Sequence, residues 1–197
     1  MLGTYQLVSH PNEMKIIPES GEHLLEIIRY RHRLLLSARP RKQPGSFRNK
    51  PVFAGNTSFV EPELLKGTLL KGYEYYRMLD QPFARAIFMM FLISEVHPFL
   101  DGNGRMARVM MNADLVNAGS SKIIIPTVYR DDYIGALRKL TRQEDPKTYI
   151  RMMERAYEFS ANVYCEDRDE MMSYLESCNA FWEDTEGRVL IIVEIRD

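Results

Sequence analysis

His97-Pro98-Phe99-Leu100-Asp101-Gly102-Asn103-Gly104-Arg105-Met106-Ala107-Arg108 gathers an imidazole, a carboxylate, two glycines around an asparagine and two guanidinium groups into twelve residues. Pro98 and the glycines break any helix arriving from the left. Asn103 opens a new one, with Met106, Met110, Ala113 and Asn117 on one stripe. Glycines let the chain turn sharply, so that several backbone N–H groups face one anion, and the helix behind adds its unpaired N–H groups and the positive end of its dipole. Arg105 and Arg108 are three apart and share a helix face, where they can grip oxygens of one ligand. Asp101 is a hard oxygen donor of the kind that holds magnesium jointly with phosphates. His97 is the one group of the stretch that takes a proton near neutral pH. On chemistry alone this is a phosphate-transfer site.

Working outward, residues 82–96 read as a helix that is apolar almost all round, with Phe83, Ile87, Phe88, Met89, Met90, Phe91, Leu92 and Ile93. That is the composition of the central member of a bundle, here delivering His97 at its C-terminal end. Asp80 is its expected cap and Pro82 suits its first turn. Further helices are expected from Gly21 to Ala38, from Glu61 to Leu79, from Asn103 to Asn117, from Tyr129 to Thr141, from Asp145-Pro146 onward, and around Met171–Leu175. Short β-favouring pieces flanking Gly55-Asn56 suggest a hairpin within 46–62. Tyr5–Val8 and Val189–Val193 read as short terminal strands, pairing with each other or with another chain. The stretch from Arg29 to Lys50 is basic, with no acidic residue, and is read as a solvated helix face running into a Pro/Gly loop. The other histidines, His10, His23 and His32, are read as structural.

At 197 residues the chain is long enough for one domain with a core, and 45% hydrophobic with 27% charged residues is ordinary for a globular protein. A net charge of −1 gives no general attraction to nucleic acid or to a membrane surface. No apolar run reaches the length of a bilayer span, and the N-terminus lacks the basic start and apolar middle of a signal peptide. Two cysteines, Cys165 and Cys178, are too few for a disulfide framework, and a cytoplasmic setting is expected.

The twelve residues fill all fixed positions of the Fic family signature, His-x-Phe-x-Asp/Glu-Gly-Asn-Gly-Arg-x-x-Arg, and the chain resembles that family over them. The resemblance implies a mainly α fold, a Fic-type helical bundle with a small β-hairpin flap. With the Fic domain set at 21–165, composition and pattern leave an N-terminal arm (1–20) and an acidic C-terminal helix and strand (166–197). The resemblance implies a protein adenylyltransferase that moves AMP from ATP to a Ser, Thr or Tyr hydroxyl of a target protein and releases pyrophosphate, with Mg2+. His97 would be the general base and Asp101 the metal ligand. Gly102, Asn103, Gly104, Arg105 and Arg108 would bind the ATP phosphates. The flap residues Val52, Phe53, Ala54, Gly55 and Asn56 would dock the target by strand addition, while Phe99 packs under the loop without a chemical role.

The alternatives are the same site transferring another nucleotide or phosphate-linked group, or removing AMP. From a different class, the alternative is an ATP-binding regulatory module without transfer. The glycines at 102 and 104 weigh against the kinase-like Doc branch. Many Fic proteins are restrained by a helix carrying Ser/Thr-x-x-x-Glu-Gly/Asn. Ser9–Glu13 has the spacing, but Pro11 lies inside it and Met14 follows. Restraint would come from a separate antitoxin protein or from a segment beyond these residues, or the protein is unrestrained, and a second copy of the chain would be the partner in any homo-oligomer.

Overall fold

In a computed structural model, residues 2–55, 57–163, 166–183 and 186–193 are described. The nine α-helices among them are α1 (Leu2–Val8), α2 (Pro11–Met14), α3 (Gly21–Leu35), α4 (Leu65–Tyr76), α5 (Pro82–Val96), α6 (Asn103–Asn117), α7 (Arg130–Gln143), α8 (Pro146–Ala161) and α9 (Arg168–Ser177). One two-stranded antiparallel sheet joins β1 (Phe53–Ala54) to β2 (Thr57–Ser58), with Phe53 opposite Ser58 and Ala54 opposite Thr57. The fold is mainly α, as the apolar periodicities require. The helix expected at 82–96 ends where predicted, although Gln81 rather than Asp80 occupies its cap position. The chain divides into two compact units, Met1–Ser120 and Ser121–Asp197.

In the first unit α5 packs most extensively against α6. Met89, Met90, Ile93 and Val96 from the one, with Met106, Ala107, Met110 and Ala113 from the other, are all at most 1% exposed. Gly72 lets α4 close on α5, since a Cβ there would collide with Leu92. The N-terminal twenty residues are not the weakly structured arm that their sequence suggests. Tyr5-Gln6-Leu7-Val8 lies in α1 and is not a strand. Its β preference yields to packing, as local propensities commonly do. Leu7 and Met14 are fully buried with Leu35, Leu36, Val109 and Ala113, and Gly3 sits directly on the carbonyl of Leu34, where any side chain would clash.

The basic stretch also departs from expectation. Arg31, expected on the solvated side of α3, is fully buried. Its Nε donates to Glu13 Oε1 at 2.8 Å, and its terminal nitrogens donate to the carbonyls of Glu13 (2.6 Å) and Ile16 (2.8 Å) and reach Met110 Sδ. A guanidinium can enter a core when its N–H groups find acceptors, and α2 and the residues just after it supply most of them. The same pairing commits Glu13, the glutamate with the spacing of a restraining motif, to the interior of this unit.

In the second unit, Val189–Val193 is irregular and forms no strand. Separate bonds hold it instead: Arg155 to the Leu190 carbonyl (2.7 Å), Ile191 N–H to the Cys178 carbonyl (3.1 Å) and Asn179 Nδ2 to the Val189 carbonyl (2.9 Å). With Tyr5–Val8 helical, the pairing expected between the two terminal segments does not form.

Asp114, 1% exposed in the middle of α6, accepts from Tyr76 Oη at 2.6 Å and from Arg85 Nε at 3.4 Å, while its Oδ2 has no partner. Burial, opposed by those two donors, raises its pKa to about 6. A carboxyl whose folded pKa exceeds its unfolded value binds the extra proton when folded, so its contribution to stability falls as pH rises through that range. Between pH 4 and 7 the wild type is expected to lose roughly 2 kcal/mol relative to Asp114→Asn, read from urea unfolding of both proteins across that range. In a second test, Arg31→Ala, which removes the partner of the Glu13 carboxylate and a donor to the Ile16 carbonyl, is expected to cost about 3–5 kcal/mol at neutral pH.

Candidate functional site

The site begins where α5 stops. His97 caps the helix in the left-handed region (φ 50°, ψ 57°), its N–H bonded to the Ile93 carbonyl at 3.1 Å. The half-buried ring stacks on Phe59, just after β2, with centroids 3.9 Å apart and planes 19° from parallel. Its Nδ1 lies 3.2 Å from the Ser94 carbonyl. A carbonyl only accepts, so Nδ1 carries the proton in the neutral ring and Nε2 presents a lone pair. Burial first, then the charge of Arg48, lowers the His97 pKa against the opposing pull of the Ser94 carbonyl. His97 is therefore held as a neutral imidazole with Nε2 unprotonated, which is the form of a base.

The loop that follows is braced from inside. Asn103, 2% exposed, accepts from the Phe99 N–H (2.9 Å) through Oδ1 and donates to the Phe99 carbonyl (2.8 Å) through Nδ2. Phe99 is fully buried and stacks on His32 at 3.7 Å, as expected for a residue that packs under the loop. His32 is also the structural histidine that its sequence setting suggests. Its Nδ1 accepts from the Gly45 N–H at 2.9 Å, so Nε2 carries the proton and donates to the Asp101 carbonyl at 3.0 Å. The two buried imidazoles thus hold opposite tautomers, each dictated by its partner.

Gly102 turns the chain with φ +81°, and a Cβ there would press on Leu35 and Leu36 at 3.2 and 3.4 Å. The backbone accordingly needs glycine on both counts. Helix α6 starts at the next residue, and Met106 N–H is bonded back to the Gly102 carbonyl. The N–H groups of Asn103, Gly104 and Arg105 precede Met106, the first to donate within the helix, as in every helix, and form a donor cluster at the positive end of α6. Gly104 is exposed, and a Cβ at that position would lie 3.7 Å from the Arg108 guanidinium, so Arg108 reaches back over this end of the helix.

Asp101 projects to the rim of this cluster. Its Oδ1 accepts from Gly102 N–H at 2.7 Å and lies 3.9 Å from Arg105, and its Oδ2 lies 3.3 Å from Arg39. His97 closes α5, Asp101 and Gly102 lie in the connecting loop, and Gly104, Arg105 and Arg108 follow on the first two turns of α6. Asn103 departs from expectation: its backbone belongs to the donor cluster, but its amide side chain faces inward and is committed to Phe99. Arg39 is the addition. Nothing in its local sequence marks it, apart from membership of an unbroken basic stretch. Among the flap residues, Phe53 stands 68% exposed on β1 and Gly55 turns with φ +57°, while Asn56 lies outside the described residues.

A family model described as Fic/DOC family matches residues 23–115. A Fido domain-containing protein of Dictyostelium discoideum is 36% identical over 103 residues, half of this chain and 72% of that protein. The chain belongs to the Fic/DOC family. A protein adenylyltransferase Fic of Drosophila grimshawi is 31% identical over 160 residues, covering 77% of this chain and 33% of that protein. The chain thus spans about a third of the length of that relative. Fic-1 of Caenorhabditis elegans has the same fold, with a TM-score of 0.65 over 89% of this chain and 51% of that chain at 22% identity. The Fic fold expected from the twelve residues is thereby shown.

The residues present fit a magnesium ion of a restricted kind. Among the described residues no three His, Cys, Asp or Glu side chains group together. Asp101 alone faces the donor cluster, and its ion pair with the exposed Arg39 is of the weak, displaceable sort. One carboxylate plus phosphate oxygens is a normal magnesium environment.

The bracing of the loop yields a direct check. Asn103→Ala strands the buried Phe99 N–H and carbonyl, and is expected to cost on the order of 2–4 kcal/mol in urea unfolding. A loss below about 0.5 kcal/mol, the range of an ordinary surface change, would show that the amide does not brace the loop.

Proposed function

We propose that this Fic-family chain is a protein adenylyltransferase that transfers AMP from ATP to a hydroxyl side chain of another protein. The observation that carries the reading is the tautomer of His97, which leaves Nε2 unprotonated at the end of α5, just before the loop that leads into the α6 N–H groups, Arg105 and Arg108. The adenylyltransferases among the relatives support the same reading. The donor cluster and the two arginines bind the phosphates, and Arg108, arched over Gly104, neutralises the pyrophosphate as it departs. Nε2 takes the proton from the incoming hydroxyl as its oxygen bonds to the α-phosphorus. The bond from that phosphorus to the bridging oxygen breaks, and pyrophosphate leaves. Asp101 would hold Mg2+, whose chemistry is to offset phosphate charge. The exposed edge of the hairpin, with Phe53 outward, receives the target as an added strand.

Incubation with ATP labelled on the α-phosphate and a cell lysate is expected to place label on protein. His97→Ala should lower the rate by about 10²–10⁴-fold, and equal labelling by the variant would overturn the assignment of the base. The pH profile adds a signed expectation. Because burial and Arg48 lower the His97 pKa, the base stays unprotonated to lower pH. The acid limb of the transfer rate should therefore fall below the ordinary histidine value of 6.5.

A further inference from the structure

Arg48 was expected in a solvated loop, yet it is 2% exposed. Its side-chain partners are all carbonyls: His97 from Nε at 2.8 Å, Lys50 at 2.9 Å, Val96 at 3.4 Å, and Val60. Its own N–H donates to the Pro98 carbonyl at 3.0 Å. These acceptors form two groups. Val96, His97 and Pro98 are the turn that carries the imidazole, while Lys50 and Val60 stand at the two legs of the hairpin. One guanidinium is bonded to both.

The turn needs such a tie. A non-glycine residue in the left-handed region costs roughly 1–2 kcal/mol, and the proline that follows His97 disfavours helical conformations at the residue before it. Strained backbone of this kind persists only where its surroundings over-determine it. Here Arg48 takes up three consecutive carbonyls of the turn. The second tie is Phe59, next to Val60 on the same leg, which lies flat against the imidazole.

We propose that Arg48 and Phe59 are positioning residues for His97, which tie the return leg of the hairpin to the base so that the placement of that leg sets the direction in which Nε2 points. The proposal rests on the reading of His97 as the base. The hairpin thereby acquires a second role, since a strand added to its edge stiffens the leg and the guanidinium carries that order to the turn. Lysine cannot substitute, because three tetrahedrally arranged donors do not reproduce a planar fork spanning four carbonyls. The lowered His97 pKa agrees, since burial against the phenyl face excludes water from the ring and the positive guanidinium of Arg48 opposes its protonation.

Two variants of the full chain test this. Arg48→Lys keeps the charge and removes the fork, and Phe59→Ala keeps the fork and removes the stack. Each is compared with wild type by urea unfolding, by equilibrium affinity for magnesium-ATP, by single-turnover transfer, and by NMR titration of the His97 ring in histidine-labelled protein. Arg48→Lys is expected to unfold cooperatively and bind ATP with unchanged affinity, to transfer about 10²-fold more slowly, and to show a displaced His97 resonance. Phe59→Ala is expected to raise the midpoint of the His97 titration and to move the acid limb of the rate up with it. Wild-type transfer by Arg48→Lys with an unmoved resonance overturns the proposal. If Arg48→Lys does not fold, Phe59→Ala decides alone, and an unchanged midpoint is fatal. The NMR arm is independent of catalysis. A wild-type protein that transfers nothing but whose His97 responds as described would refute the adenylyltransferase reading and leave the positioning intact.

Discussion

In the first unit, a buried guanidinium whose side-chain partners are backbone carbonyls ties the hairpin to the motif turn. Removing an arginine from water is tolerable only where its donors are met. Arg48 meets them by drawing together segments that are neighbours in space and distant in sequence, the His97 carbonyl being 49 residues away. The left-handed turn at His97, the exit of the hairpin and the start of the motif loop all hang on that one group. Gly45, Phe47 and Arg48 run as a strap under the loop. Gly45 bonds to His32, Phe47 tilts against Phe99 at 5.6 Å, and Arg48 bonds to Pro98. The donor cluster at the head of α6 is rigid because its underside is filled.

The same logic recurs through the first unit. Arg31 is solvated by carbonyls and one carboxylate from α2, and the Asn103 amide is solvated by the backbone of Phe99. Polar groups inside this domain serve mainly to fix irregular backbone, where no helix or sheet ladder satisfies the N–H and C=O groups. Asp114 is the exception, a carboxyl with one oxygen unmet, and its raised pKa is the consequence.

Much of this was legible in the sequence. The apolar periodicity locates seven helices to within a few residues, and the signature marks the junction of α5 and α6, where Arg105 lies 3.9 Å from Asp101. Phe99 and His32 are legible as packing residues, because an aromatic just ahead of a glycine turn and a histidine within an amphipathic helix most often fill space. What stayed hidden has a common cause. The burial of Arg31 and Arg48 depends on acceptors that are backbone carbonyls, which leave no residue-specific trace. A basic stretch with scattered acceptors far along the chain looks identical to a solvated face. The inward turn of Asn103 follows from the loop's own backbone, and the helical state of Tyr5–Val8 follows from Leu7 and Gly3 meeting α3. Val189–Val193 carries β-branched residues in sequence, yet its acceptors and donors are taken one at a time by α8 and the end of α9.

The transferase reading depends on the turn from Asp101 into α6 being a preformed phosphate cradle. Titration of 15N-labelled protein with magnesium-ATP tests it most directly. Large shifts are expected at the backbone N–H groups of Gly102, Asn103, Gly104 and Arg105, with the Asn103 side-chain amide nearly unmoved because it stays bonded to Phe99. Shifts confined to other parts of the chain, or an Asn103 amide that moves with the ligand while the backbone does not, would contradict it.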